Sequence, residues 1–302
     1  MKRKLLWLLV LAVAIVSSLA ALGCGDDEEP AAGSSDTAGT SANTPPPAGG
    51  LTLDELRSRG KIVFGVKFDQ PLFGLKNPTN DEIEGFDIEI ARLIAQGIFG
   101  QEDVDSMIEF RETPSRVREA AIEDGTVDLV IATYTINDTR KEVVDFAGPY
   151  YVAGQDIMVR ADDDSINGVE SLNGKKVCSV QGSTSIDNVR EQAPQVDLSI
   201  SFDKYSLCAE ALADRRVEAV TTDNIILLGL IANSEGAFKL VGKPFTTEPY
   251  GIGMKKGSTE LRSFVNDRLE EIYADGSWRA AFDKTIGTAD EEAPEPPAVD
   301  RY

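Results

Sequence analysis

The sequence predicts an α/β protein of two lobes. Three observations carry this. Short β-branched apolar runs alternate with segments of helical period across residues 61–132, in the order β-α-β-α-β. The alternation restarts after Tyr151 and continues to about residue 232. Two further strand-like runs, 239–241 and 249–254, then read as a return path into the first lobe.

In the first lobe, Thr52 caps a short helix over 52–59, and Glu55 three residues later completes a capping box. Residues 61–66 (KIVFGV) are a strand and 67–75 (KFDQPLFGL) a loop. Gly85-Phe86-Asp87 opens a helix in which Phe86, Ile90, Leu93, Ile94 and Ile98 recur at helical spacing. A strand over 107–111 and a helix over 115–123 follow, the helix stopped by Gly125. Residues 127–132 form a buried strand that ends in Thr133, Tyr134 and Thr135, with Arg140 five residues on. Hydroxyls and a guanidinium at a strand end make a natural anion site. The planar fork of Arg matches a carboxylate, and open α/β sheets bind ligands at the carboxyl ends of their strands.

The second lobe has strands over 156–160 and 176–180. The latter runs into Gln181-Gly182-Ser183-Thr184-Ser185 and a helix, a turn that exposes backbone N–H groups to an anion. A helix over 206–214 leads to a strand over 217–220 that ends in Thr221-Thr222-Asp223, and a helix over 225–232 follows. One long amphipathic helix over 261–278 closes the fold, with Leu261, Val265, Leu269, Ile272 and Tyr273 on one face.

The flanks differ in kind. Residues 1–23 carry Lys2, Arg3 and Lys4, an apolar run and then small residues, the pattern of a secretory signal peptide. It ends at Ala21-Leu22-Gly23-Cys24, which resembles the bacterial lipobox, with Ala21 where leucine is usual. Cys24 is therefore the expected lipidation site and anchors the protein to the outer face of the cell membrane. Residues 24–50 lack large apolar side chains almost entirely and read as a disordered tether of roughly 30 Å reach. Residues 288–302 are acidic and Pro-rich and read as a disordered tail.

The net charge is −21, which argues against a nucleic-acid partner. There is no histidine, which removes His-dependent nucleophilic catalysis, His metal sites and a His general base. With Cys24 assigned to lipid, Cys178 and Cys208 are an even pair in an exported chain and read as a disulfide. Closing a loop of that length stabilises by about 3–4 kcal/mol on the chain-entropy model.

Taken together, Gly85-Phe86-Asp87-Ile88, Gly125-Thr126-Val127-Asp128, Thr133-Tyr134-Thr135-Ile136, Arg140, Asp145-Phe146-Ala147-Gly148-Pro149-Tyr150, Gln181-Gly182-Ser183-Thr184, Thr221-Thr222-Asp223 and Tyr250-Gly251-Ile252-Gly253 resemble family-3 extracytoplasmic solute-binding proteins of amino-acid ABC transporters. The resemblance spans residues 51–287. It implies a two-lobed periplasmic-binding-protein fold of type II, with lobe 1 at 51–150 plus 249–287, lobe 2 at 151–248, and two hinge strands between them. It implies a monomer without cofactor that traps a free amino acid between its lobes and delivers it to a permease. Arg140 would take the α-carboxylate, with Thr135 and Thr184 adding backbone N–H bonds, Ser183 and Gly182 also binding the ligand, and Thr133 a further polar contact. Asp223 would take the α-ammonium. Lys67 and Arg118 stand where aspartate- and glutamate-binding members carry basic residues, so glutamate is expected first, then aspartate or glutamine; Arg116 is the alternative to Arg118. Phe68 or Phe73 would wall the pocket and Gln70 touch the ligand. Two other functions fit the same module: a sensor that hands the amino acid to a membrane receptor or kinase, and a dehydratase-like enzyme, for which the residues leave little acid-base chemistry.

Overall fold

The computed structural model describes residues 49–302, and the expected signal peptide, Cys24 and nearly all of the tether lie outside them. Strands are β1 (Ile62–Val66), β2 (Asp69–Gln70), β3 (Gly74–Lys76), β4 (Ile83–Glu84), β5 (Ile108–Glu112), β6 (Leu129–Val130), β7 (Val144–Ala153), β8 (Gln155–Arg160), β9 (Val177–Cys178), β10 (Ala219–Asp223), β11 (Phe238–Leu240) and β12 (Glu248–Lys255). Helices are α1 (Leu53–Arg59), α2 (Phe86–Phe99), α3 (Arg118–Glu123), α4 (Asp138–Lys141), α5 (Thr184–Gln192), α6 (Tyr205–Ala213), α7 (Asn224–Ala232), α8 (Thr259–Ala274) and α9 (Ser277–Lys284). No helix among the described residues is long and apolar enough to cross a membrane.

Two sheets define the two lobes. The first has the order β5-β1-β6-β12-β7, with β1 parallel to β5 and β6, and β12 antiparallel to β6 and β7. The second has the order β11-β8-β10-β9. A small antiparallel sheet, β2-β3-β4, lies over lobe 1. The lobes are joined by β7 and β12, which pair from Glu248↔Ala153 at one end to Lys255↔Val144 at the other. The chain thus leaves lobe 1 along one strand and returns along its neighbour.

Each lobe buries its own core. The lobe 1 core packs α2, α8 and α9 on the first sheet around Phe64, Ile94, Leu129, Leu269 and Trp278. The lobe 2 core gathers Met158, Val180, Leu212, Val220 and Leu227 about the Cys178–Cys208 disulfide, which pins β9 to α6. At the hinge, Phe73, Phe86, Tyr150, Tyr151 and Tyr250 form an aromatic cluster of edge-to-face and tilted pairs. Pairs of this kind stabilise beyond their buried area.

Local rules account for many boundaries. The capping box at Thr52 forms in full, with Glu55 N–H donating to Thr52 Oγ1 and Thr52 N–H to Glu55 Oε2. Some expectations are corrected. The single helix expected over 261–278 is two, because Gly276 at φ 82° breaks it into α8 and α9. Such a positive φ suits glycine and ends a helix. The expected loop at 67–75 contains the β2–β3 hairpin. The helix expected over 115–123 begins as a 3-10 turn after Pro114, and α3 proper starts at Arg118.

The tail over 288–302 is also corrected. It has almost no regular structure, yet it is laid along the free edge of β7. Asp300 N–H donates to Gly148 O at 2.8 Å, and Phe146 N–H donates to Tyr302 Oη at 2.8 Å. Arg301 pairs with Asp267 at 2.7 Å and Glu270 at 2.8 Å on α8. The Tyr302 ring lies beneath Lys141 and Arg262, at 3.9 and 4.5 Å. Composition favours disorder here, but an unpaired strand edge and a ring between two cations hold the segment. Tyr302→Ala should therefore cost about 1–2 kcal/mol, from one hydrogen bond and two partly exposed cation–π contacts. Scanning calorimetry should show Tm lowered by several degrees; an unchanged Tm would mean that the tail carries no stability.

Candidate functional site

The site lies between the two sheets, where strand ends of both lobes face one another. Lobe 1 lines it with Ser115, Arg118, Thr133 and Thr135; lobe 2 supplies Ser183, Thr184, Ser185, Tyr205, Thr222 and Asp223. With the lobes together the cleft is nearly shut, leaving about 10 Å³, room for about one water molecule. A wider groove on the outer face of lobe 1 is lined by Glu82, Glu84, Glu89 and Asp105. Its two cations, Arg92 and Lys284, are already paired to Glu89 and Asp105, so it presents no convergent polar set.

Lobe 1 brings three cations together. Lys67 follows β1, is 3% exposed, and donates from Nζ to Ser115 Oγ at 2.8 Å. Burial, helped by Arg118, pulls its ammonium down to about 7. Arg118 opens α3 and reaches back over the strand ends, donating to Ala132 O at 3.0 Å and stacking on the Tyr134 ring at 4.2 Å. Its Nε is buried without a hydrogen-bond partner among the described residues. Arg140 sits on α4, a single turn capped by Asn137. It stacks on Tyr134 at 4.8 Å and donates to Thr135 O at 2.7 Å and, across the cleft, to Gly182 O at 3.3 Å. A contact to Glu119 at 3.3 Å completes its surroundings.

Two buried aspartates oppose these charges. Asp87 at the start of α2 accepts from Thr133 N–H at 2.9 Å and from Tyr150 Oη–H at 2.6 Å. Burial pushes its carboxyl up to about 7, against those hydrogen bonds. It holds Thr133 at φ 46°, a left-handed conformation that is strained for a β-branched residue. The Thr133 hydroxyl donates to Gln70 Oε1 at 3.1 Å. Asp223 ends β10 in lobe 2. Its Oδ2 accepts from Tyr250 Oη–H at 2.6 Å, while Oδ1 is buried without a partner among the described residues. Burial and the neighbouring carboxylate of Glu248 push it up to about 7. A buried half-bonded carboxylate facing a guanidinium whose Nε is buried without a partner among the described residues is a costly arrangement that a molecule carrying both charges would satisfy.

Contacts beside the cleft also draw the lobes together. Asp69 on β2 accepts at 2.9 Å from Tyr205 N–H, at the start of α6 in lobe 2. Arg116 pairs with Asp203 through two bonds, at 2.6 and 3.1 Å, and Lys204 pairs with Glu112. Gly182, at φ 74°, lets the backbones approach: a Cβ there would stand 2.5 Å from Arg116 Cα.

Of the residues the sequence singles out, Arg118, Thr133, Thr135, Ser183, Thr184 and Asp223 line the cleft. Lys67, Gln70 and Arg140 stand immediately behind it, bonded to Ser115, Thr133 and Thr135 respectively. Gly182 meets Arg140 and Arg116, and Arg116 belongs to the interlobe pair rather than the cleft. Phe68 is corrected. Its carbonyl accepts from Lys76 N–H at 3.0 Å beside the β2–β3 hairpin, and its ring lies beneath Lys76 in a separate groove with Pro71, Ala209 and Leu230. Phe73 is wholly in the hinge core. Sequence reasoning missed Ser115, Tyr205 and Thr222, whose only signal is nearness to other strand ends. It missed Asp87 as a ligand-loop support and Glu248, which accepts from Thr184, Asn188 and Thr246.

Residues 62–288 match the family model of the bacterial extracellular solute-binding proteins, family 3. The chain is 43% identical over 236 residues to the ABC transporter glutamine-binding protein GlnH of Bacillus subtilis, covering 78% of this chain and 84% of that one. It is 43% identical over 235 residues to the glutamate-binding protein GluB of Corynebacterium glutamicum, covering 76% and 79%. Its fold superposes on an ancestral arginine-binding protein bound to glutamine with a TM-score of 0.70 at 38% identity, covering 76% of this chain and 99% of that one.

The support beneath Thr133 is directly testable. Asp87→Ala leaves two buried donors unsatisfied and should destabilise the fold by about 2–4 kcal/mol. Urea unfolding should show the midpoint lowered at constant m; an unmoved midpoint would mean that Asp87 is dispensable.

Proposed function

We propose that this chain, which belongs to family 3 of the bacterial extracellular solute-binding proteins, captures a free amino acid between its lobes and hands it to an ABC importer. The observation that carries this is the division of charge: cations at the lobe 1 strand ends, and Asp223 with one unpaired oxygen on lobe 2. A zwitterion taken out of water needs both charges paired, or desolvation dominates. Arg140 takes the α-carboxylate as a charge-assisted pair, with backbone N–H groups at Thr135 and at Thr184, the first residue of α5. Asp223 takes the α-ammonium.

Lys67 and Arg118 supply positive charge beyond what one α-carboxylate requires. They favour a ligand with an acidic side chain, so glutamate ranks first, with aspartate and glutamine after it. Only the closed molecule satisfies both ends of the ligand, and this difference in affinity drives closure about β7 and β12. Cys24 carries the lipid anchor, residues 24–50 serve as the tether, and the protein works outside the membrane as a monomer.

Isothermal titration against the common amino acids tests the proposal, with glutamate expected to bind most tightly. Arg140→Ala should weaken every ligand at least about a hundredfold, since it removes the contact common to all, roughly 2.7 kcal/mol. Lys67→Ala should weaken glutamate about tenfold relative to glutamine. Absence of binding by any amino acid would refute amino-acid capture. An unchanged ratio of glutamate to glutamine would refute the role of Lys67.

A further inference from the structure

Tyr250 touches both halves of the site. Its backbone bridges to Thr135, flanked by hydrogen bonds from Ile136 N–H to Pro249 O at 2.8 Å and from Gly251 N–H to Tyr134 O at 2.9 Å. Thr135 O in turn accepts from Arg140. The hydroxyl of the same residue reaches lobe 2, where it donates to Asp223 at 2.6 Å. The ring has no freedom to do otherwise. It is fully buried, with Phe73 at 5.9 Å, Tyr150 at 6.2 Å and Tyr151 at 5.9 Å between centroids. One rigid side chain on a hinge strand therefore spans from the loop beside Arg140 to the carboxylate at the end of β10.

We infer that Tyr250 is a positioning residue for ligand capture: it sets the spacing of the two half-sites on closure and, by donating to Asp223, favours the carboxylate that an ammonium group requires. This rests on the amino-acid reading above. Asp223 is surrounded by groups that pull in both directions. Burial and Glu248 on β12 favour its neutral acid; the Tyr250 hydroxyl, Arg140 on α4 and Arg118 on α3 favour the carboxylate. Tyr205 on α6 also faces it. A donated hydrogen bond stabilises the charged acceptor. Without that donor Asp223 would hold its proton to higher pH, and a protonated acid cannot pair with an ammonium ion.

The test is Tyr250→Phe, which keeps the ring and removes one hydroxyl. Glutamate and glutamine are titrated into the wild-type chain and the variant from pH 5.5 to 9. At pH 7 the variant should bind both ligands about tenfold more weakly, a loss of the size expected for one hydrogen bond to a charged group. Its loss of affinity on the acid side should begin at higher pH than in the wild type, and the gap should narrow as pH rises. A role in packing alone would weaken binding by one factor at every pH. Glu248→Gln provides a second arm: removing the neighbouring negative charge should move the acid limb to lower pH. A pH-independent loss, an unchanged profile in Tyr250→Phe, or an unmoved acid limb in Glu248→Gln would overturn the inference. Wild-type protein that binds none of the amino acids would instead refute the reading on which it rests.

Discussion

Opposite charges buried on opposite sides of a closable cleft are the constraint around which this molecule is arranged. Asp223 is 4% exposed and only half hydrogen-bonded. Lys67 and Arg118 are buried with their positive charge disfavoured by the same loss of water. Among the described residues Asp223 forms no ion pair with these cations, and each group is held by its own local bonds. The fold tolerates this because each charged group is fixed by a rigid neighbour: Arg118 and Arg140 by the Tyr134 ring, Lys67 by Ser115, and Asp223 by Tyr250. Preorganisation of this kind lowers the cost of ordering side chains when a ligand arrives.

The hinge is part of the same arrangement. Tyr150 on β7 donates to Asp87, which shapes Thr133, and Tyr250 on β12 donates to Asp223. Each hinge strand thus reaches one half of the site through a single hydroxyl. Around them, Asp69, Arg116 and Glu112 of lobe 1 engage three consecutive residues, Asp203 to Tyr205, in lobe 2. These contacts exist only with the lobes together, so they add to the stability of the closed state. Since the Arg116–Asp203 and Lys204–Glu112 pairs are largely exposed, salt screens them.

What could be read from the sequence follows from how local each feature is. Thr133, Thr135, Arg140, Thr184 and Asp223 stand out because a strand-to-turn boundary is a local signal, and polar residues at several such ends converge in any two-lobed α/β fold. The paired cysteines, Cys178 and Cys208, were legible by elimination, and they are bonded. The failures involve distance or parity. Phe68 follows Lys67 in a segment whose sequence carries no alternation, and its pairing with Lys76 beside the β2–β3 hairpin is what keeps it out of the cleft. The tail looked disordered because its composition is, and nothing local announces that Tyr302 will lie between Lys141 and Arg262. Tyr250 stands in the sequence only as part of a motif; its bond to Asp223, 27 residues earlier, depends on how the lobes close.

The central claim is that both charges of an α-amino acid are bound at once, one by each lobe. Calorimetric titration with glutarate, which lacks the α-ammonium of glutamate, and with 4-aminobutanoate, which lacks its α-carboxylate, tests it most directly. Each analogue should bind at least about a hundredfold more weakly than glutamate, because each strands one buried charge. If either bound within a few-fold of glutamate, the division of the zwitterion between Arg140 and Asp223 would be contradicted.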